Sequence, residues 1–370
     1  MTSSEAAPSS WLVAGVPDAG SSGGSVRARH VFSALARRTG ARVIGAHGRR
    51  GLPALAVAVG SASGGWRRPL HVASTQLLPR RGLGLLRGKA QASVLDVHDH
   101  PRLQAEGLGF SLDPTHRDAL DRLFEVNAAA FDHLVVPSAT FAELCRLPGD
   151  QVLVVSNGAD TQLVRPAPAP AEPVVGMVSG AAPGRGIELL VEAMQLVRDE
   201  EPAATLRLAL AATGPASAAY LDSLRSALRD RAPWVGVQAV PYEELGAFLA
   251  DTSLLVIPHP PNPYLDVATP VKLFDSMAAG RPVVVTPRLE TAAIVTATDA
   301  GVVANGDRAD DLAEAILTLL RDAPRRDRLG ASARRAAVAE YDWRVLAGRL
   351  ADVLLARGPA AMRAGGPGTG

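Results

Sequence analysis

The sequence predicts an α/β protein made of two Rossmann-like domains, each a doubly wound parallel sheet, facing a central cleft. Three observations lead there. Short β-branched apolar runs alternate with longer helical patterns along most of the chain. The alternation is broken once, by the alternating Pro and Ala of 166–171, which can form neither ladder nor helix and serve as a stiff spacer. Finally, 370 residues with 47% hydrophobic content can bury large cores and exceed one small domain.

Taken in order, WLVAGV reads as a first strand, followed by the helical SVRARHVFSALARR. ARVIGAHG, ALAVAVG, LHVAS and SVLDVHD read as further strands. A helix over 115–130 leads into HLVVPS, and a second near SATFAELCRL leads into QVLVVS. After the spacer the order is VVGMVSG, helix IELLVEAMQLVRDE, TLRLALAA, helix AAYLDSLRSALRD, VGVQAV, helix YEELGAFLAD and SLLVIP. The segment TPVKLFDSMAAGRPVVV, then GVVANG, two more helices at 310–322 and 326–340, and a closing helical stretch complete it. The domains are expected at 1–165 and 166–340, with a closing helix at 341–357 and a Gly/Pro-rich disordered tail at 358–370.

Charge narrows the function. The formal net charge is +1 and arginines are scattered without a run, which argues against nucleic acid or an anionic membrane surface. The single cysteine, Cys145, permits no disulfide framework and reads as a small buried apolar residue. The N-terminal stretch lacks a basic region before its short apolar run, and no apolar span is long enough to cross a bilayer, so a cytoplasmic protein is expected.

Parallel open sheets bind ligands at the C-terminal ends of their strands, so chemistry is sought in the loops there. PDAGSSGGS places Gly23 and Gly24 just before a helix, where glycines let backbone amides approach phosphate or sugar oxygens; a merely flexible turn is the alternative. The spacing is not the dinucleotide fingerprint. In SVLDVHDHP, alternation sends Asp96 and His98 to one side of an extended chain. Three readings stay open for that cluster: a metal site, polar caps on a strand end, or a group touching substrate in the cleft. AAPGRGIE sets Arg185 between glycines at a helix start, a good diphosphate holder unless it is a surface arginine.

In TPVKLFDSMAAGRPVVV, Thr269 suits an N-cap, Pro270 the first helical position, and Gly280 with Pro282 a stop. Lys272 and Asp275 share a face. A lysine in the first turn opposes the helix dipole, so an anion held jointly by the amides and the ammonium explains it better than local stability does. Asp275 can accept two hydrogen bonds from a diol such as a ribose. The alternative is a surface Lys–Asp pair worth only tenths of a kcal/mol.

Together these segments resemble the retaining GT-B glycosyltransferases, in particular the large family-four group that uses nucleotide-sugar donors. The resemblance covers most of the chain: Gly23 and Gly24, the DVHD strand end, SNGAD at 156–160, PGRGIELLVEAM, GP at 214–215, PVKLFDSMAAGRPVV and the closing YDW. It implies a GT-B fold with the donor mainly on the second domain, the acceptor mainly on the first, and a final helix that crosses back to the first domain. By position, His98 matches a histidine near the donor sugar and is the expected catalytic residue. Gly23, Gly24, Arg185, Thr269, Val271, Lys272, Asp275 and Glu290 are the expected donor-binding residues, with Asp275 at the place of a ribose-gripping glutamate. No metal and no cofactor beyond the donor are implied, and the acceptor is a small molecule, lipid or glycan. Two departures stand out: the first acid of the family's acidic pair falls on Val267, with Asp266 one place early, and a second basic residue falls on Gly180. Lys272 is expected to supply the missing charge. An epimerase of the same fold and a non-catalytic nucleotide-sugar binding protein are the rival readings.

Overall fold

A computed structural model describes residues 11–17, 22–45, 70–75, 77–78, 80, 83, 90–212 and 214–361. The expected strand ALAVAVG lies outside them. Two six-stranded sheets organise the rest. The first holds β1 (Trp11–Val16), β2 (Arg42–Gly45), β3 (Leu70–Ser74), β4 (Ala90–Asp96), β5 (His133–Val136) and β6 (Val152–Val154), in the order β2-β1-β3-β4-β5-β6. The second holds β7 (Val174–Gly180), β8 (Thr205–Ala211), β9 (Val235–Gln238), β10 (Leu254–Ile257), β11 (Val283–Val285) and β12 (Gly301–Val303), in the order β12-β11-β10-β7-β8-β9. All neighbouring strands run parallel.

Helices cover both faces of such sheets, which is why central strands are apolar throughout instead of alternating. All residues of β5, β10 and β11 are buried. The strand order reverses between β1 and β3 in the first sheet and between β7 and β10 in the second. A crevice opens at each of these switch points, beyond the carboxyl ends of the strands. The loop carrying Gly23 and Gly24 follows β1, that carrying Arg185 follows β7, and Lys272 lies beyond β10.

The chain returns to the first domain at its end. Ala159 and Asp342 form a parallel bridge, with Ala159 N donating to Tyr341 O at 2.9 Å and Trp343 N donating to Ala159 O at 3.1 Å. This extended contact delays the last helix to Trp343–Ala361, later at both ends than the sequence pattern suggests. Its Trp343, Leu346, Leu350, Ala351 and Leu354 repeat at helical spacing and bury in one cluster with Val31, Phe32 and Leu35 of the first domain. Burial of a leucine of this kind stabilises by roughly 1.5–3 kcal/mol.

Two local expectations are corrected. The helix over Val271–Ala278 starts one residue later than expected: Pro270 is its N-cap, and the Thr269 hydroxyl and carbonyl both accept from Asn157 Nδ2, at 3.2 and 2.6 Å. Thr269 therefore fastens the interdomain junction and does not cap. Glu290 sits in the first turn of a helix, Leu289–Ala297, that the sequence pattern does not predict. That helix is apolar on nearly all sides, so it carries no amphipathic period for a sequence pattern to reveal. Cys145 is half-buried, and burial pushes its thiol pKa up to about 12, which makes it inert.

Candidate active site

On the second domain, β7 ends at Gly180, and a short 3-10 turn, Pro183–Arg185, brings the chain to Gly186. Gly186 has φ +73°, and a Cβ there would lie 1.8 Å from Pro258 O. Only glycine fits. The Ile187–Glu200 helix begins directly after it, and the Val271–Ala278 helix begins nearby; neither has a side-chain cap, so first-turn amides of both are left for a ligand. We expect Gly186→Ala to cost at least ~2 kcal/mol, from the left-handed backbone plus the carbonyl clash, as a lower urea midpoint; an unchanged midpoint contradicts this geometry.

Lys272 is half-buried, and its Nζ donates to Ser179 Oγ at 3.1 Å. Burial first, and the Arg185 charge second, hold its pKa well below the usual lysine value, and no carboxylate acts on it. The Nε of Arg185 is buried without a hydrogen-bond partner. Beside them lies His259, 0% exposed, with both ring nitrogens unpartnered. Burial, followed by Lys272, Arg185 and Arg288, drives its pKa far down. Three nitrogen-bearing side chains thus meet at the crevice, and among the described residues no carboxylate acts on Lys272 or His259.

On the first domain, Gly23 and Gly24 lie against His98: a Cβ at Gly24 would come within 3.0 Å of His98 Cδ2, and one at Gly23 within 3.3 Å of Val271 Cγ2. This brings Gly23, Gly24, His98 and Val271 together across the cleft. His98 Nε2 stands 3.5 Å from Asp99 Oδ2, and its Nδ1 is buried without a partner. Asp96 does not join it. Both Asp96 oxygens take the Arg27 Nε, at 3.0 and 3.1 Å, so Asp96 belongs to a buried ion pair. Among the described residues no group of three or more His, Cys, Asp or Glu is placed to share a metal ion.

Direct contacts also join the two domains across the cleft. Tyr264 OH donates to Asp99, Thr140 Oγ1 donates to Glu290, and Gly184 N donates to Leu108 O at 3.2 Å. Glu290 therefore touches the first domain. Asp275 is 3% exposed; burial pushes its pKa well up, opposed by a hydrogen bond from Tyr242 OH at 3.4 Å to Oδ1. Lys272 and Asp275, neighbours on the helix, thus turn to different partners: Lys272 to β7 and Arg185, Asp275 to Tyr242.

Comparison with known proteins agrees with this fold. Residues 172–322 match the family described as Glycosyl transferases group 1. Sucrose-phosphate synthase of Thermosynechococcus elongatus superposes with a TM-score of 0.70 at 18% identity, over 94% of this chain and 98% of that one. This chain has the GT-B fold, and its second domain is the part that matches the group 1 glycosyltransferases. HepE of Anabaena, solved in complex with UDP and glucose, superposes on the GT-B fold at TM-score 0.67 and 16% identity, over 93% of this chain and 98% of that one. A GDP-mannose-dependent alpha-(1-6)-phosphatidylinositol monomannoside mannosyltransferase of Mycobacterium tuberculosis is 27% identical over 274 residues, covering 69% of this chain and 68% of that protein.

The two departures from the family pattern have physical settings in this GT-B protein. Val267 is 6% exposed and packs in an apolar cluster with Leu95, Val97 and Phe141, where a carboxylate would be desolvated. Asp266 is held by Arg288 at 3.0 Å, and Arg288 also grips Asp307 at 2.6 Å. A Cβ at Gly180 would meet nothing within 4 Å, so the position is open. His259 and Tyr264 are the site residues that sequence reasoning missed. The available signal was their place, in HPPNPY directly after the strand SLLVIP. Among the described residues, no helix is long and apolar enough to cross a membrane.

Proposed function

We propose that this protein moves a hexose from a nucleoside-diphosphate sugar to an acceptor hydroxyl with retention of anomeric configuration and without a metal ion, in the cytoplasm. One observation carries the reading: Lys272 and Arg185 converge beside two uncapped helix N-termini, and among the described residues no carboxylate acts on Lys272. Such a cluster is costly when empty and favourable when it holds a diphosphate, since like charges and orphan amides then share one dianionic partner. The donors of the relatives named above, GDP-mannose and UDP-linked glucose, set the range of nucleotides to try.

In this reading the acceptor oxygen attacks the anomeric carbon on the face the phosphate leaves. The bond from that carbon to the phosphate oxygen breaks, and the acceptor proton passes to the departing phosphate. The charge growing on the leaving group is met by Lys272, Arg185 and the amide dipoles. His98, against Gly23 and Gly24, stands where the sugar would lie and orients it. Asp275 takes a ribose hydroxyl in place of the Tyr242 hydroxyl that it now accepts from.

The test is calorimetric. Lys272 has a folded pKa below 10.5, so between the two values the free protein binds fewer protons at this site than an ordinary lysine does. A diphosphate favours the ammonium and raises its pKa again. Binding of UDP or GDP should therefore take up a proton, and affinity should fall as pH rises through that window. Titrations in buffers of differing ionisation enthalpy measure this directly. Proton release, or no binding of either nucleotide, removes the proposal. Incubation of bound UDP-glucose or GDP-mannose with acceptors then separates transfer from the rivals: turnover without transfer fits an epimerase, and neither fits a binding protein, which the Val267 and Gly180 departures favour.

A further inference from the structure

His98 stands beside Asp99, and the partners of that carboxylate come from both domains. Asp99 lies just before the first-domain helix Pro101–Gly107, and its Oδ2 accepts from Gln104 Nε2 on that helix. Its Oδ1 accepts from the hydroxyl of Tyr264, which the second domain supplies.

Tyr264 is held rigidly. It follows Pro260, Pro261 and Pro263, whose fixed φ leaves the loop little freedom. Asn262 Oδ1 accepts its backbone N–H at 2.9 Å and starts one turn of helix, Pro263–Asp266. The ring is buried against Gly107: a Cβ there would come within 2.6 Å of Tyr264 Cδ1, so any larger residue would displace it. One residue on, the same first-domain turn is pinned to the second domain by Gly184 N, which donates to Leu108 O at 3.2 Å. Burial first, and the Asp99 charge second, push the phenol pKa well up, so Tyr264 keeps its proton and acts as a donor.

A carboxylate with a donor on each oxygen has its plane fixed. Oδ2 of Asp99 is thereby kept 3.5 Å from His98 Nε2, whereas His98 Nδ1 is buried without a partner. A carboxylate on one side of a neutral imidazole draws the proton to that nitrogen and leaves the other as an acceptor. We infer that Tyr264 is a positioning residue: through Asp99 it sets the orientation and tautomer of His98, with the proton on Nε2 and Nδ1 left to accept. Because the tyrosine comes from the second domain, the arrangement is complete only where the two domains meet. It rests on the glycosyltransferase reading above for what His98 does, whereas the link from Tyr264 to His98 stands without it.

The experiment compares the full chain with Tyr264→Phe, which removes the hydroxyl and keeps the buried ring. Ring-nitrogen NMR of the free proteins reads His98, with His98→Gln identifying its signals. The neutral wild-type ring should carry its proton on Nε2, and in Tyr264→Phe and Asp99→Asn the two tautomers should mix. Turnover of UDP-glucose or GDP-mannose, whichever binds, is then followed as release of the nucleoside diphosphate. Tyr264→Phe should lower kcat about tenfold and change KM and the Kd of UDP or GDP by less than about twofold. Asp99→Asn should lower kcat to a similar extent, and the double variant should fall no further, since losses through one relay do not multiply. Unmoved His98 signals in Tyr264→Phe overturn the inference whatever the turnover does, leaving Tyr264 a tie between the domains. So does a double variant whose kcat loss is the product of the single losses, or a drop in nucleotide affinity with kcat unchanged, which would make Tyr264 a donor contact. Absence of nucleotide binding in the wild type is the failure of the glycosyltransferase reading itself; there, and where a donor binds without turnover, the His98 signals alone decide the link.

Discussion

Lys272→Ala should weaken nucleoside-diphosphate binding by about 100-fold while leaving the protein at least as stable as before. The two effects have opposite signs because the lysine is held at a cost. Burial and the neighbouring Arg185 both disfavour its charged form, and its hydrogen bond to Ser179 offsets only part of that. Removing it relieves the free protein. In the complex the same ammonium makes a charge-assisted hydrogen bond to phosphate, of a kind worth roughly 1.5–3 kcal/mol, and the higher figure corresponds to about two orders of magnitude in Kd. Isothermal titration with UDP and GDP, beside urea unfolding of the free proteins, checks both halves. Equal affinity in the variant would remove Lys272 from the donor site; a large drop in the urea midpoint would make it a structural residue.

Asp96→Ala should have the largest effect on stability, roughly 3–5 kcal/mol. Arg27 is 0% exposed and its guanidinium ties four points together: Asp96, the carbonyls of Val155 and Ser156 at 2.8 and 3.0 Å, and Asn157 Oδ1 at 3.2 Å. Asn157 in turn donates to Thr269 at the start of the Lys272 helix. Without Asp96 a buried guanidinium keeps its desolvation penalty and loses its counter-charge. The loss is read from the urea midpoint. Because the chain of contacts runs to the second domain, nucleotide affinity should also fall. A destabilisation under ~1 kcal/mol would mean that solvent reaches Arg27.

The pattern of Asp96 and His98 shows where sequence reasoning reaches its limit. Alternation places both on one side of β4, but it does not say that a buried arginine from the first helix, 69 positions away, captures one of them. That partner is a property of packing. The Lys272 segment was more legible, because helix signals are local. Pro270, Gly280 and Pro282 bound the helix within a residue, and a lysine in a first turn is an anomaly that an anion explains. What stayed hidden was His259, a lone histidine after a strand, whose unpartnered nitrogens become informative only once Lys272 and Arg185 are seen beside it. The Leu289–Ala297 helix was missed for a different reason: its apolar and small residues are spread all round the helix, so no polar face sets a period.

By itself, then, the sequence determined the alternation of strands and helices, the spacer between two sheets, and the glycines and charges at strand ends, since these depend on neighbours within a few positions. Tertiary structure alone decided which charges pair off and which remain open. Asp96 and Asp266 are consumed by Arg27 and Arg288, whereas Lys272 is left with the Ser179 hydroxyl and the neighbouring charge of Arg185. The physical reason is that an ion pair or a desolvated charge is set by distance and dielectric between residues far apart in the chain, and neither quantity is written in local order.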